Sequence, residues 1–259
     1  MLFPLATSLP SRVYFGALLA PLFASCALLH PAVEADCPIA GGERVDNLIE
    51  EDESHFAALW KLTSGGENAE GYWNFAGDRL SLQRRNPAEG IECDRIFVTN
   101  LAADEDTGAS LTQLSSGMGA TTCAHFLPGD LEVVFASTQG MMSSCPPAPD
   151  HSLGYVWTLY PEHDLYARPV DYTQKKDETY PERQLTDQWG YDAEATVSPL
   201  GDRIVFTSTR SGDIEIWTCD LDGNDLFQVT DELGYDGEIR GQQSEGLEPL
   251  ASVIDPKLR

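Results

Sequence analysis

The residues of this chain best equipped for chemistry are Cys123, His125, Cys145 and His151, together with three acidic triplets, Asn68-Ala69-Glu70, Asp192-Ala193-Glu194 and Asp236-Gly237-Glu238. Thiolate and imidazole ligands suit zinc, but these four lack the paired spacing of a zinc motif. Carboxylates in register could hold a divalent cation through oxygen. No compact calcium loop is present, however, and Asp or Asn at such places usually orients a loop through its backbone. The sequence therefore assigns no metal and no cofactor. His151 and Ser152 are neighbours, and neighbours on an extended segment point apart, so they form no Ser-His-Asp device. A Gly-x-Ser-x-Gly nucleophile elbow is also missing from the sequence. No catalytic residue is expected, and the chain reads as a protein that is not an enzyme.

Composition narrows the partners. The chain has 259 residues, 42% of them hydrophobic, and a formal net charge of -26. It is apolar enough to fold around a core and too acidic to attract phosphate backbones, which excludes nucleic acid and anionic membrane surfaces as partners. The N-terminus reads as an export signal. Arg12 precedes an apolar run over residues 13–29, and Val33-Glu34-Ala35 offers small residues at a cleavage site before Asp36. Leu22-Phe23-Ala24-Ser25-Cys26 loosely resembles a bacterial lipobox, which would make Cys26 a lipid anchor, although Phe23 stands where Leu is usual. The expected location is periplasmic or secreted.

The elements that must position these residues are β-strands. Residues 191–230 hold one complete unit: strands at 195–197, 203–208, 214–219 and 226–229, separated by Ser198-Pro199-Leu200-Gly201-Asp202, Ser211-Gly212-Asp213 and Asp222-Gly223-Asn224. Two markers repeat it. A Leu-Thr type pair ending an outer strand occurs at Leu62-Thr63, Leu114-Ser115, Leu185-Thr186 and Val229-Thr230, spaced by 52, 71 and 44 residues. A Gly-Asp turn occurs at Gly77, Gly129 and Gly201, spaced by 52 and 72. The units are predicted over 64–115, 116–186 and 187–230, with a fourth opening at 231–238. Residues 36–54 are an acidic leader and 239–259 an irregular tail. In the second unit the third strand is read at either 155–160 or 164–166, after a long insertion.

The run Ser198-Pro199-Leu200-Gly201-Asp202-Arg203-Ile204-Val205-Phe206-Thr207-Ser208-Thr209-Arg210, followed by Gly212-Asp213-Ile214-Glu215-Ile216-Trp217 and Leu221-Asp222-Gly223, closely resembles the WD-like repeat of TolB-type β-propellers. The resemblance covers residues 55–238 and implies an all-β fold: a partial propeller of about three four-stranded antiparallel blades from a ring that is commonly six-bladed. It also implies an exported, non-catalytic binding or protein-interaction module. TolB is a periplasmic partner of the Tol-Pal complex. Similar blades form the non-catalytic half of prolyl-oligopeptidase-like serine peptidases, so a propeller separated from such a hydrolase is the alternative. Three blades are an open arc, which reads as a truncated propeller whose missing sheets come from a protein partner or a second copy.

In such a blade, loops entering the first strand and loops joining the second to the third share one end. That end is expected to gather Glu70, Arg84, Arg85, His125, His151, Asp192, Glu194 and Arg210 into a binding face. Cys93, Cys123 and Cys145 fall near it, and a disulfide between Cys123 and Cys145 would pin the insertion to its own blade. Zinc at Cys123, His125, Cys145 and His151 is the alternative there. Cys219 is expected to be a buried thiol, and Trp73, Phe75, Phe206 and Trp217 to be core.

Overall fold

The computed structural model describes residues 39, 41–99, 110–150, 152, 154, 158–170 and 182–237. The expected signal segment, Cys26, His151 and the tail 239–259 lie outside the described residues. Strands β1 (Glu43–Arg44) and β2 (Trp60–Lys61) pair antiparallel, so the acidic leader contributes a strand of its own. Three four-stranded sheets follow, each with its strands in chain order. The first holds β3 (Glu67–Trp73), β4 (Leu80–Asn86), β5 (Ile91–Thr99) and β6 (Leu111–Gln113). The second holds β7 (Thr121–Phe126), β8 (Glu132–Ser137), β9 (Asp164–Pro169) and β10 (Arg183–Gln184). The third holds β11 (Asp192–Val197), β12 (Ile204–Ser208), β13 (Glu215–Cys219) and β14 (Phe227–Gln228). These are three propeller blades. Of the two positions read for the third strand of the second blade, the structure takes the later one.

The core lies between blades. Ile96, Val98 and Leu114 of the first blade meet Ala124, Phe126, Val133, Phe135 and Tyr166 of the second. Val134, Ala136, Leu165 and Ala167 on the second blade's other face meet Tyr191, Ala193, Ala195, Ile204 and Phe206 of the third. The middle blade is covered on both sides, which is why Val133, Val134, Phe135 and Ala136 are all fully buried and read as an unbroken apolar run.

Each innermost strand carries a bulge at the same place. Two residues oppose one: Glu70-Gly71 against Leu82, Cys123-Ala124 against Phe135, and Glu194-Ala195 against Phe206. The first residue of each pair is left-handed, with φ of +52° at Glu70, +49° at Cys123 and +57° at Glu194.

The turns after these strands also repeat, with one correction to the spacing. In the first and third blades a glycine takes the left-handed position, Gly77 and Gly201, both at φ +72°. In the second blade that position, closed by the Asp130 N–H donating to Leu127 O at 3.0 Å, belongs to Asp130 at φ +60°. The Gly-Asp marker is therefore displaced by one residue there. Asp130 gains a role from the exchange: its carboxylate accepts from Phe75 N and Ala76 N, both at 2.9 Å, and from Asn74 Nδ2 at 3.1 Å, all in the first blade's turn. A Cβ on Gly201 would stand 2.9 Å from Pro128 Cγ, so the third turn also rests directly on the second.

The Leu-Thr marker has a mechanical meaning. Its hydroxyl accepts an amide of the third strand in every blade: Ile96 N to Ser115 Oγ at 3.1 Å, Leu165 N to Thr186 Oγ1 at 2.9 Å, and Ile216 N to Thr230 Oγ1 at 2.9 Å. The openers repeat as well. Asp192 N donates to His163 O at 3.0 Å, and Asp236 N donates to Ile214 O at 3.2 Å, so 234–236 sits on the third blade as 190–192 sits on the second.

The disulfide differs from the expected one. Cys145 is bonded to Cys93, with Cα atoms 5.7 Å apart, and Cys123 is free. The expected Cys123–Cys145 pair would close within one blade, whereas the bond present crosses the joint between the first and second blades. The start of β5 abuts the start of β7, where Thr121 Oγ1 donates to Asp94 O at 3.0 Å, and this brings Cys93 beside the insertion. Cys123 instead occupies the bulge of the innermost strand. With Cys145 bonded, the set Cys123, His125, Cys145 and His151 is not available as four zinc ligands.

Asp130→Gly removes the clasp and should lower unfolding stability by about 1–3 kcal/mol, while Asp130→Ala should lose roughly a further 1 kcal/mol from the left-handed backbone, both read by urea denaturation. Non-reducing peptide mapping should recover a Cys93–Cys145 crosslink that survives Cys123→Ser. Cys145→Ser should abolish it and cost about 2–4 kcal/mol.

Candidate functional site

Strand directions place the inner-strand entrances and the second-to-third loops at one end, as expected, but most of the charged residues there are spent on one another. Arg85 is paired with Glu67 at 2.9 Å and Arg84 with Glu89 at 2.8 Å, both on the first blade. Asp192 and Arg210 form a buried pair at 2.6 Å in the third, with side-chain exposures of 1% and 6%. Asp192 also accepts from Ser208 Oγ at 2.5 Å, and the Arg210 guanidinium lies over Phe206 and Trp217 at 5.3 and 5.1 Å. Burial holds the Asp192 carboxyl above its usual range, against the opposing pull of Ser208 and Arg210. Such a pair fixes the blade rather than presenting charge to a ligand.

The two bulge glutamates are likewise engaged. Glu194 accepts from Thr207 Oγ1 at 2.7 Å, from Tyr235 at 3.3 Å and from Tyr191 at 3.5 Å, and Glu70 accepts from Tyr72. Both carboxylates thus accept from hydroxyls of neighbouring side chains. Among the described residues no group of three or more His, Cys, Asp or Glu is placed to hold a metal ion.

Beside the Asp192 pair lies a second buried carboxylate. Asp164 is 6% exposed and accepts from Gln184 Nε2 at 3.1 Å and Thr186 Oγ1 at 3.2 Å. Burial first, and the nearby charges of Asp192 and Asp187 next, push its pKa up to about 6. The adjacent His163 is held down to about 4 by burial, so its ring stays neutral. Cys219 is buried as expected, and burial raises its thiol to about 12.

His125 sits apart from the other residues of the expected face. It is one residue from the far end of β7, where its ring stacks on Tyr72 of the first blade with centroids 3.8 Å apart. There it lines a cavity of about 240 Å³ formed where β3, β7 and β11 end, bounded by Trp73, Asn74, Phe75, His125, Phe126, Thr196, Val197, Ser198 and Pro199. Phe206 is core as expected, at 1% exposure, and Trp217 is partly buried against the same cluster, whereas Trp73 and Phe75 are 52% and 45% exposed. The reason is positional. Trp73 matches Phe126 and Val197 at the ends of the other inner strands, and each of those is buried against the preceding blade. No four-stranded sheet precedes the first blade among the described residues.

The lining mixes apolar side chains, Trp73, Phe75, Phe126, Val197 and Pro199, with polar ones, Asn74, His125, Thr196 and Ser198. Asn74 is engaged within its turn and with Asp130, and Ser198 Oγ donates to Asp202 at 2.7 Å. Sequence reasoning missed Trp73 and Phe75 here because period-two alternation reports a strand face without saying whether a neighbour covers it.

No protein-family model matches the sequence, and no curated protein matches it either. Solved structures resemble it in part. A putative TolB from Agrobacterium tumefaciens aligns over 66% of this chain and 51% of its own, at 17% identity and a TM-score of 0.46. TolB from Acinetobacter baumannii aligns over 70% of this chain and 36% of its own, at 17% identity and 0.47. A puromycin-hydrolysing peptidase from Mycobacterium tuberculosis aligns over 67% of this chain and 26% of its own, at 14% identity and 0.42. The chain thus spans about half of the first of these structures and about a third of the second.

Proposed function

We propose that this chain is an exported, non-catalytic β-propeller module that binds a protein segment at the axial cavity, through an apolar side chain laid against Trp73 and Phe75. The observation that carries the reading is the exposure of these two aromatics at the mouth of a cavity built from three inner strands. Large exposed aromatics rimming a concavity are the usual anchors of protein recognition. His125 and Tyr72, stacked across the joint of the first two blades, give that mouth a rigid wall. The Cys93–Cys145 bond supports export, since disulfides persist in oxidising compartments. Among the described residues no helix is long and apolar enough to cross a membrane.

A random peptide library panned against the full chain tests the reading. Enriched peptides should carry a bulky apolar residue and lose about ten- to thirtyfold in affinity against Trp73→Ala, with the folded state checked by circular dichroism. Peptides that bind the Trp73→Ala and Phe75→Ala variants as tightly as the original chain would overturn it. If instead the chain dimerises in light scattering and Trp73→Ala abolishes the dimer, the segment held there is a second copy.

A further inference from the structure

The joint between the second and third blades holds more buried acid than its bases can neutralise. Asp164, at the start of β9, is covered by the outer edge of its own blade through Gln184 and Thr186, and by the opening of β11. Both of those partners are neutral. Asp192 faces it from β11 and Asp187 from the segment entering that strand, and both charges add to the cost of ionising Asp164. Tyr166 on its own strand is un-ionised, with its hydroxyl pushed up to about 12, and His163 beside it is neutral. Arg210, a cation of this joint, is bound to Asp192 at 2.6 Å. A carboxylate removed from water without a cation of its own is costly, and the group relieves that cost by taking a proton.

The same joint is mechanically central. Asp192 N donates to His163 O at 3.0 Å, directly preceding Asp164, and Leu165 N is held by the Thr186 hydroxyl that also donates to Asp164. Beyond Asp192, β11 runs to Thr196 and Val197 and into Ser198 and Pro199, which form one wall of the axial cavity.

We propose that this joint is a pH-dependent latch: on mild acidification Asp164 takes a proton, a buried charge is lost, and the third blade tightens against the second, fixing the β11 wall of the cavity. The sign follows from linkage. A carboxyl whose pKa stands at about 6 in the folded chain, against 3.8 for an unperturbed aspartate, keeps its proton through a window in which the unfolded chain has lost it. Stability from this group is complete below the lower value and is lost as pH rises through the upper one. Asp94, Glu182 and Asp192 are raised by burial and act in the same direction, while Asp46, Asp150 and Asp213 are lowered and act oppositely. A comparison of variants is therefore needed to isolate Asp164. The latch stands whether or not the cavity binds a protein segment.

The test is urea denaturation of the full chain and of Asp164→Asn at several values between pH 4.5 and 8. Asparagine keeps an acceptor for Thr186 and cannot ionise. The ratio of unfolding constants, original chain over variant, should rise about ten- to hundredfold from the acid to the neutral end and level off above it. A ratio that is flat across the range overturns the proposal. A second measurement needs no variant. Carboxyl-carbon NMR of the original chain should show one Asp resonance titrating near pH 6, absent in Asp164→Asn where that variant folds. If every Asp carboxyl titrates below about pH 4.5, there is no latch.

Discussion

Each blade can bury its apolar faces only against another blade, and every recurrent feature of this structure serves that constraint. A four-stranded sheet twists and presents two faces, so the second blade, sandwiched between two others, is the most deeply buried part of the molecule. The polar devices at the joints work with this stacking. Asp130 reaches into the preceding turn, Ser81 Oγ donates at 2.5 Å to the carbonyl of Ala124 in the next blade's bulge, and the openers at Asp192 and Asp236 bond to the residue just before the third strand of the blade before them. Such bonds contribute modestly one by one, but they fix the register in which nondirectional apolar burial takes place.

The strong negative charge of the chain is managed differently at the surface and inside. At the blade edges Arg183 spans two sheets, meeting Glu132 at 3.0 Å in its own blade and Asp222 at 2.6 Å in the next. Exposed pairs of this kind are worth little to stability and serve alignment more than cohesion. Inside, Asp192 has an arginine, whereas among the described residues Asp164 accepts from the neutral Gln184 and Thr186. The joint between the second and third blades thus contains the tension that the surface avoids, and it does so where the cavity wall begins.

How much of this was legible in the sequence depends on whether a feature is local. The strands, the blade lengths and the outer-strand marker could be read because β-branched alternation and turn residues are local signals, and the marker's Ser or Thr is required by an amide only one strand away. The Gly-Asp turn was legible to within one residue: Asp130 can occupy the left-handed position that Gly77 and Gly201 take, since Asp tolerates it. What escaped is what neighbouring blades decide. Cys93 meets Cys145 across a joint, His125 belongs to the opposite end from Asp192, and among the described residues no blade covers Trp73 as the preceding blades cover Phe126 and Val197. These depend on which sheets stack, and a single strand's pattern does not contain that information.

The bulges show the same division from the other side. Left-handed backbone disfavours residues with a side chain, and glycine would remove the strain at all three sites, yet Glu70, Cys123 and Glu194 stand there. Glu194 accounts for its own case: its carboxylate gathers hydroxyls from Tyr191 just before its strand, Thr207 in the adjacent one, and Tyr235 in the opener that follows the blade. A glycine would relax the backbone and release three donors, one of them Tyr235, whose bond acts together with that of Asp236 N to Ile214 O in tying residues 231–237 to the third blade. The strain at position 194 is therefore offset by connectivity between successive units. The adjoining alanines at 124 and 195 are fully buried, so the bulge turns a small residue into the core and frees the strained one to bond outward.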